Sequence, residues 1–587
     1  MQNSQLGPAR QQNTHLYLFY FIGIFAFFLG YARLYYGVDF LDEAWYVATS
    51  QQFALGARPF INEFSFQQFP FILVAPLFSI VYNNPDTSYS GSVIFLRHIY
   101  FIVVCIAAGS SYFLLRMYTS KPMGIALASI FFIDVFVIPS VSYNTMGRWM
   151  FVTALVLATN VYGDAYKHGW ILKSVAAGLC FVVCVLSYPP LLLPTLVFFI
   201  IVATYVVKYK NRVSPLLLLI SVFVALLFAF LIFYLYPLRS QIITDFKMIR
   251  VLGVQTTNLE QKWIVIVSIF KLMIAPFLIL VVYKLFETKI AENCRPSCLL
   301  IFILFIFALG LDHWKSPNFQ YFKFITYISF IGVIAYPLFR RELPSRFAML
   351  YFFVVIPLAL AGVVTALTSA NGYTNLSVGI SPAAIFALLF ISEKFREQQA
   401  GIEYFMIILG SAFLIYVYLL SSNIYREPFI SQLTVSVREG PYKGLMTTPD
   451  KAALVNDLYL ELNKSEIRQK NTMLCYYNFP ACYLFTPLRT TAYSTWILNW
   501  WFTKESFDNF LLLVKQNQKE YFLAKENLAD VVVRYRPNDQ NYAGITVGDP
   551  STLGYDPITN ALKKSCYNLV NRTELYEIWT KYDCAGS

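Results

Sequence analysis

Apolar runs of roughly 20 residues recur along this chain and stop near residue 420; at about 1.5 Å of rise per residue, each can cross about 30 Å of hydrocarbon as a helix. About thirteen such runs are centred near residues 26, 104, 132, 157, 180, 198, 225, 274, 305, 332, 358, 386 and 411. The first, near residues 16 to 36, follows a weakly basic start and lacks a small-residue cleavage site, so it reads as an uncleaved span. Charged residues make up 13 % of the chain, against about 25 % in soluble domains, which places residues 1–420 in a bilayer as an α-helical polytopic membrane domain.

The formal charge of +12 does not form a nucleic-acid surface, because Lys and Arg sit in short clusters between the apolar runs. Their alternation sets the topology instead. With the N-terminus inside, the cytoplasmic loops hold Arg116 and Lys121; Lys167 and Lys173; Lys208, Lys210 and Arg212; Lys284, Lys289 and Arg295; Arg340, Arg341 and Arg346; and Lys394 with Arg396. An odd number of spans then puts residues 421–587 outside, in the periplasm if the membrane is a bacterial inner membrane.

That tail differs in composition and reads as an extracytoplasmic α/β domain. Thr448 and Pro449 suit an N-cap and first helical position, TMLCYYN and DVVVRY suit strands, and a second helix is expected around ESFDNFLLLVKQ. The tail's four cysteines suit an oxidising compartment, with Cys475–Cys482 and Cys566–Cys584 as the expected pairs and buried free thiols as the alternative. Cys294 and Cys298 lack a partner pair of ligands, so no zinc site is expected there. No phosphate loop, nucleophile elbow or internal repeat is present.

The chemistry is expected in the first outer loop, residues 37–92, which holds Asp39, Asp42, Glu43, Glu63 and Asp86 against Arg58 alone. DEAWYVATSQQFAL reads as a helix opening on its acids, where the helix dipole favours negative charge. Capping would account for those acids. A carboxylate at the membrane surface can also take a proton from an acceptor hydroxyl, worth about 10²- to 10⁴-fold in rate.

Asp42, Glu43, Ala44, Tyr46, Ala48, Gly56 and Pro59 resemble the pattern of the GT-C membrane glycosyltransferases, in the group of protein O-mannosyltransferases and lipid A aminoarabinose transferases. Members carry an Asp-Glu pair just after the first span, an A-x-Y-x-A helix and a Gly-x-x-Pro turn. The resemblance covers about 25 residues, and the Lys-Pro-Pro-Leu stretch common downstream appears here as Gln68 to Leu77 without its lysine. It implies a sugar transferase using a polyprenyl-phosphate-linked donor and a glycan, lipid or protein acceptor. Asp42 would be the catalytic base, Glu43 would position the acceptor or bind a divalent cation, and Asp39 would stand second to Asp42.

Donor phosphate calls for cations near the outer surface. Lys315 is the first choice, with His313 and Lys323 beside it; Arg97 and His98, Arg148, and Arg239, Lys247 and Arg250 are the others. Each could instead be a snorkelling anchor. Asp134 and Asp164 lie within or near apolar runs, where acids are costly and often functional. A transporter or flippase of a lipid-linked glycan, which would show broken helices and inverted repeats, is the main rival, followed by a glycan polymerase or ligase.

Overall fold

The computed structural model describes residues 8–63, 65, 67–82, 89–134, 138–163, 169–209, 213–240, 242–243, 259–311, 317–369, 371–396, 401–422, 424–476, 479–491, 494–496, 529–535, 562, 566–573 and 575–582. Helices stand at all thirteen expected centres. They include α1 (Pro8–Arg33), α4 (Ser92–Leu115), α5 (Lys121–Ile133), α6 (Tyr143–Gly163), α7 (Trp170–Ser187), α8 (Leu192–Tyr209) and α9 (Ser214–Phe230). Next come α10 (Leu259–Glu287), α11 (Arg295–Gly310), α12 (Pro317–Phe339), and α13 (Arg346–Leu350) running through a π turn into α14 (Ile356–Thr368). The last are α15 (Leu376–Ile380), α16 (Ala383–Phe395) and α17 (Gly401–Ser422). Between α1 and α4 the first loop adds α2 (Asp42–Ala54) and α3 (Phe69–Val81).

Among the described residues nine helices are long and apolar enough to cross a membrane, and a tenth span would be the pair Gly372–Ile380 and Ala383–Phe395, bent by 58°. Among the described residues, nine or ten of the thirteen expected runs meet that length and composition. Helix α5, with 13 residues, and α11, with 16, are shorter than about 20 residues of full crossing. Helix α6 has the length, but it buries Asn144, Arg148 and Asn160.

Side chains that would be wasted in water face outward, as Phe21, Ile200 and Phe233 do, whereas the windows Phe322–Phe339 and Arg346–Thr368 are mostly enclosed by other helices. Gly30 lets α1 meet α5: a Cβ there would collide with the Phe132 carbonyl. The chain is an α-helical polytopic membrane protein.

After α17 the tail forms α18 (Pro449–Leu462), opened by the Thr448 hydroxyl accepting from the Lys451 N–H, and α19 (Ser465–Arg468). A two-stranded ladder pairs β1 (Val435–Ser436) with β2 (Met446–Thr447). The larger sheet runs β4 (Arg489–Thr490), β3 (Thr472–Tyr476), β5 (Val531–Tyr535), β7 (Tyr576–Lys581), β6 (Tyr567–Arg572). Strand β3 is parallel to β4 and β5, and β7 is antiparallel to its neighbours. Buried runs such as Met473–Tyr476 and Val531–Val533 are what strands covered on both faces require.

Cys475 is bonded to Cys482, as expected. Cys566 is also disulfide-bonded, while Cys584 and the expected helix around ESFDNFLLLVKQ lie outside the described residues.

The tail docks on the first loop. The Gly37 N–H donates to the Met446 carbonyl and the Met446 N–H to that of Tyr35, at 2.8 and 2.7 Å. Lys451 donates to the carbonyls of Val38 and Arg426, and the Tyr442 hydroxyl to that of Asp39. Side chains of Gln51 and Gln52 reach the carbonyls of Thr486 and Leu488. First loop and tail therefore share one end of the helical bundle.

Candidate active site

The site begins where α1 ends. Gly37, in the left-handed region at φ +90°, turns the chain toward Asp39, whose carboxylate accepts from the N–H groups of Leu41 (3.2 Å) and Glu43 (2.7 Å). Asp39 thus caps α2 from upstream, with both oxygens committed to backbone amides.

Glu43 faces the other way, onto Arg97 of α4. The Arg97 Nε and Nη2 reach its two oxygens at 2.8 and 2.6 Å, and both side chains are almost wholly buried. Arg97 also donates to the carbonyls of Leu34, Tyr36 and Gly37, so all five of its N–H groups are used within the protein. Among the described residues the five Arg97 N–H groups and both Glu43 oxygens are thus engaged within the protein. Glu43 and Arg97 fasten the loop to α4.

Asp42 is different. Its Oδ2 accepts from the Tyr425 hydroxyl and from Arg426 Nη2 at 3.1 Å, and its Oδ1 has no hydrogen-bond partner among the described residues. Burial pushes the Asp42 carboxyl above its ordinary range, Arg426 opposes that rise, and Asp39 adds to it. Burial, together with the neighbouring Asp42 charge, also raises Tyr425 and keeps its hydroxyl a donor.

Arg426 sits at φ +55°, a conformation that costs a non-glycine residue about 1 kcal/mol. It is held there in part by Lys451 on its carbonyl. The guanidinium so placed lies 3.1 Å from Asp42 and 4.0 Å from Asp39. Tyr425 and Arg426 were not among the expected site residues; their signal was a tyrosine and an arginine immediately after the last apolar run.

One turn along α2 from Asp42 stand Trp45 and Tyr46, on the same helix face. They form an aromatic wall with Phe71, Tyr143 and Trp496: Trp45 lies 4.9 Å from Trp496 and 5.6 Å from Phe71, and Tyr46 stacks on Phe71 at 5.7 Å. Below that wall, buried Glu63 accepts from the Ser494 hydroxyl at 3.0 Å, from the Ser65 N–H at 3.2 Å and from the Thr495 N–H at 3.3 Å. Burial raises its carboxyl to about 7 despite these donors. Glu63 ties the loop to the tail.

The remaining candidates scatter. Arg148 is buried in an ion pair with Asp134, which also accepts from Ser381 at 3.1 Å, and it lies over Trp149. His98 is held between the hydroxyls of Tyr31 and Tyr35 at 3.3 and 3.2 Å. Arg239 lies over the Tyr236 ring and Lys323 over that of Tyr327. His313, Lys315, Lys247, Arg250, Asp86 and Asp164 lie outside the described residues. Among the described residues no group of three or more His, Cys, Asp and Glu side chains is disposed to hold a metal.

No protein-family profile matches this chain, nor does any curated protein. Its structure is similar to that of the archaeal oligosaccharyltransferase AglB from Archaeoglobus fulgidus in complex with an inhibitory peptide and a dolichol-phosphate. That match has a TM-score of 0.46 and 11 % identity over 88 % of this chain and 69 % of that one. It is likewise similar to the crystal structure of the Archaeoglobus fulgidus oligosaccharyltransferase in complex with Zn and sulfate, with a TM-score of 0.47 and 13 % identity over 88 % of this chain and 68 % of that one.

Proposed function

We propose that this chain is a GT-C-type glycosyltransferase of the bacterial inner membrane that moves a sugar from a polyprenyl-phosphate-linked donor to a glycan, lipid or protein hydroxyl on the extracytoplasmic face. The observation that carries the reading is the sorting of Asp39, Asp42 and Glu43: among the described residues Asp39 is used as a cap and Glu43 as an ion pair, while the Asp42 Oδ1 has no hydrogen-bond partner. In the reaction the acceptor oxygen attacks the anomeric carbon, the bond from that carbon to the phosphate oxygen breaks, and polyprenyl phosphate departs. The acceptor proton goes to Asp42 Oδ1.

Burial makes Asp42 a stronger base than a solvated carboxylate, and Arg426 favours its ionised form. Tyr425 and Arg426, bonded to the other oxygen, aim it. The wall of Trp45, Tyr46, Phe71, Tyr143 and Trp496 suits the apolar faces of a sugar ring. The alternation of Lys and Arg between loops supports the outward placement of this end, and the Cys475–Cys482 disulfide suits an oxidising compartment.

The test is a deletion strain complemented with wild-type protein or Asp42→Asn, with envelope glycans compared by mass. The variant is expected to leave a glycan lacking one sugar. Full restoration by Asp42→Asn would remove the proposed base and with it this reading.

A further inference from the structure

The tail contributes a cation beside the site. Lys451 stands in the first turn of α18, where the helix dipole disfavours positive charge, and it is 5 % exposed. Burial lowers its ammonium below the ordinary lysine range. Neither the dipole nor burial favours a lysine at this position, so its reason is tertiary. Nζ donates to the Arg426 carbonyl at 2.7 Å and to the Val38 carbonyl at 3.0 Å, and lies 3.2 Å from Glu427 Oε1, so its three N–H groups meet three acceptors.

The stretch Tyr425–Glu427 is pinned on either side of Arg426. Glu427 Oε1 accepts from the Val38 N–H at 2.9 Å and from the Thr447 hydroxyl at 2.6 Å, and the Tyr425 hydroxyl donates to Asp42. Arg426 between them holds a left-handed backbone at φ +55°, which an arginine keeps only where its surroundings enforce it. Lys451 enforces it at the carbonyl. Because side-chain rotamers depend on φ and ψ, that backbone also directs the guanidinium, which lies 3.1 Å from Asp42.

The charges facing Asp42 are those of Arg426 and Asp39, and the hydroxyls of Tyr425, Tyr46 and Tyr143 face it as well. Those facing Lys451 are Glu427, Asp39 and Arg426. Arg426, bonded at its carbonyl to Lys451 and at its guanidinium to Asp42, links the two. We propose that Lys451 is a positioning residue for the transfer reaction: by holding the Arg426 carbonyl it keeps the guanidinium on Asp42, so that the tail takes part in setting up the base. The assignment rests on the transferase reading given above and is tested without a sugar substrate.

Full-length protein in phosphatidylcholine nanodiscs is titrated by infrared spectroscopy, and the Asp42 carboxyl is isolated by subtracting the same background carrying Asp42→Asn. Wild type and Arg426→Gln are compared with Lys451→Met and with Lys451→Met/Glu427→Gln, a charge-balanced variant that leaves no lone carboxylate at the buried Glu427 position. The Asp42 midpoint is expected to rise by about one unit or more in both Lys451→Met variants, as in Arg426→Gln, and by less in Lys451→Arg. Adding Lys451→Met to Arg426→Gln is expected to move it no further. A residue that only fastens the tail would leave the midpoint in place. An unmoved midpoint, a full additional shift on top of Arg426→Gln, or loss of the folded protein in both Lys451→Met variants would each overturn the proposal. Full glycan restoration by Asp42→Asn would instead remove the proposed base and leave the coupling of Lys451, Arg426 and Asp42 standing.

Discussion

The two ends of the helical bundle use the same residue types in opposite ways. At the end away from the tail, Lys284 and Lys394 each bond to both Glu287 and Glu342, two cations closed on two anions. At the tail end, Glu43 and Arg97 are closed in the same manner, but among the described residues the Asp42 Oδ1 has no hydrogen-bond partner and Arg33 has no ionic partner. A saturated network holds helices together. Unsatisfied valence, kept at the cost of burial, is what a substrate can use.

The comparison breaks or sharpens at specific residues. Asp42→Asn should lower sugar transfer by about 10²- to 10⁴-fold and lower the melting temperature less than Glu43→Gln does, because its partner Arg426 is 22 % exposed where Arg97 is 2 % exposed. Activity within a few-fold of wild type would place Asp42 with the saturated acids. Glu43→Gln leaves Arg97 buried against a neutral partner and should cost several kcal/mol, up to about 3–5, read as a lowered midpoint of thermal unfolding in detergent.

The pH profile distinguishes the acids further. Burial holds the Asp42 carboxyl above its usual range, so transfer should rise with pH along a limb lying above that of an ordinary aspartate, about 3.9. Arg426 lowers that value, so Arg426→Gln should move the limb to higher pH and lower the rate at neutral pH. A limb that stays in place would separate Arg426 from Asp42. The smallest effect is expected at the opposite end, where Glu342, about a third exposed, should lose under about 1 kcal/mol on change to Gln, with transfer unchanged.

Much of the fold was legible because its causes are local. Each apolar run must satisfy its own backbone in lipid, so all thirteen centres hold helices; and Thr448 and Pro449 open α18 by side-chain and backbone geometry within one turn. Span length was less legible, since α5 and α11 end early and α6 carries polar residues inward. In the site, the stretch Asp39–Glu43 and the helix it opens were legible, whereas the contacts that set apart the role of each acid were not. Those roles depend on partners far along the chain: Arg97 lies 54 residues from Glu43, Arg426 lies 384 from Asp42, and Ser494 lies 431 from Glu63.

By itself the sequence determined a bundle of apolar helices, an acid-rich first loop and a separate tail, because hydropathy, backbone hydrogen bonding and helix capping act over about one turn or one span. Tertiary structure decided which carboxylate is free, which guanidinium lacks an anion and that the tail clamps the loop. Ion pairing depends on distances of a few ångströms between side chains, and only the packed fold sets those distances.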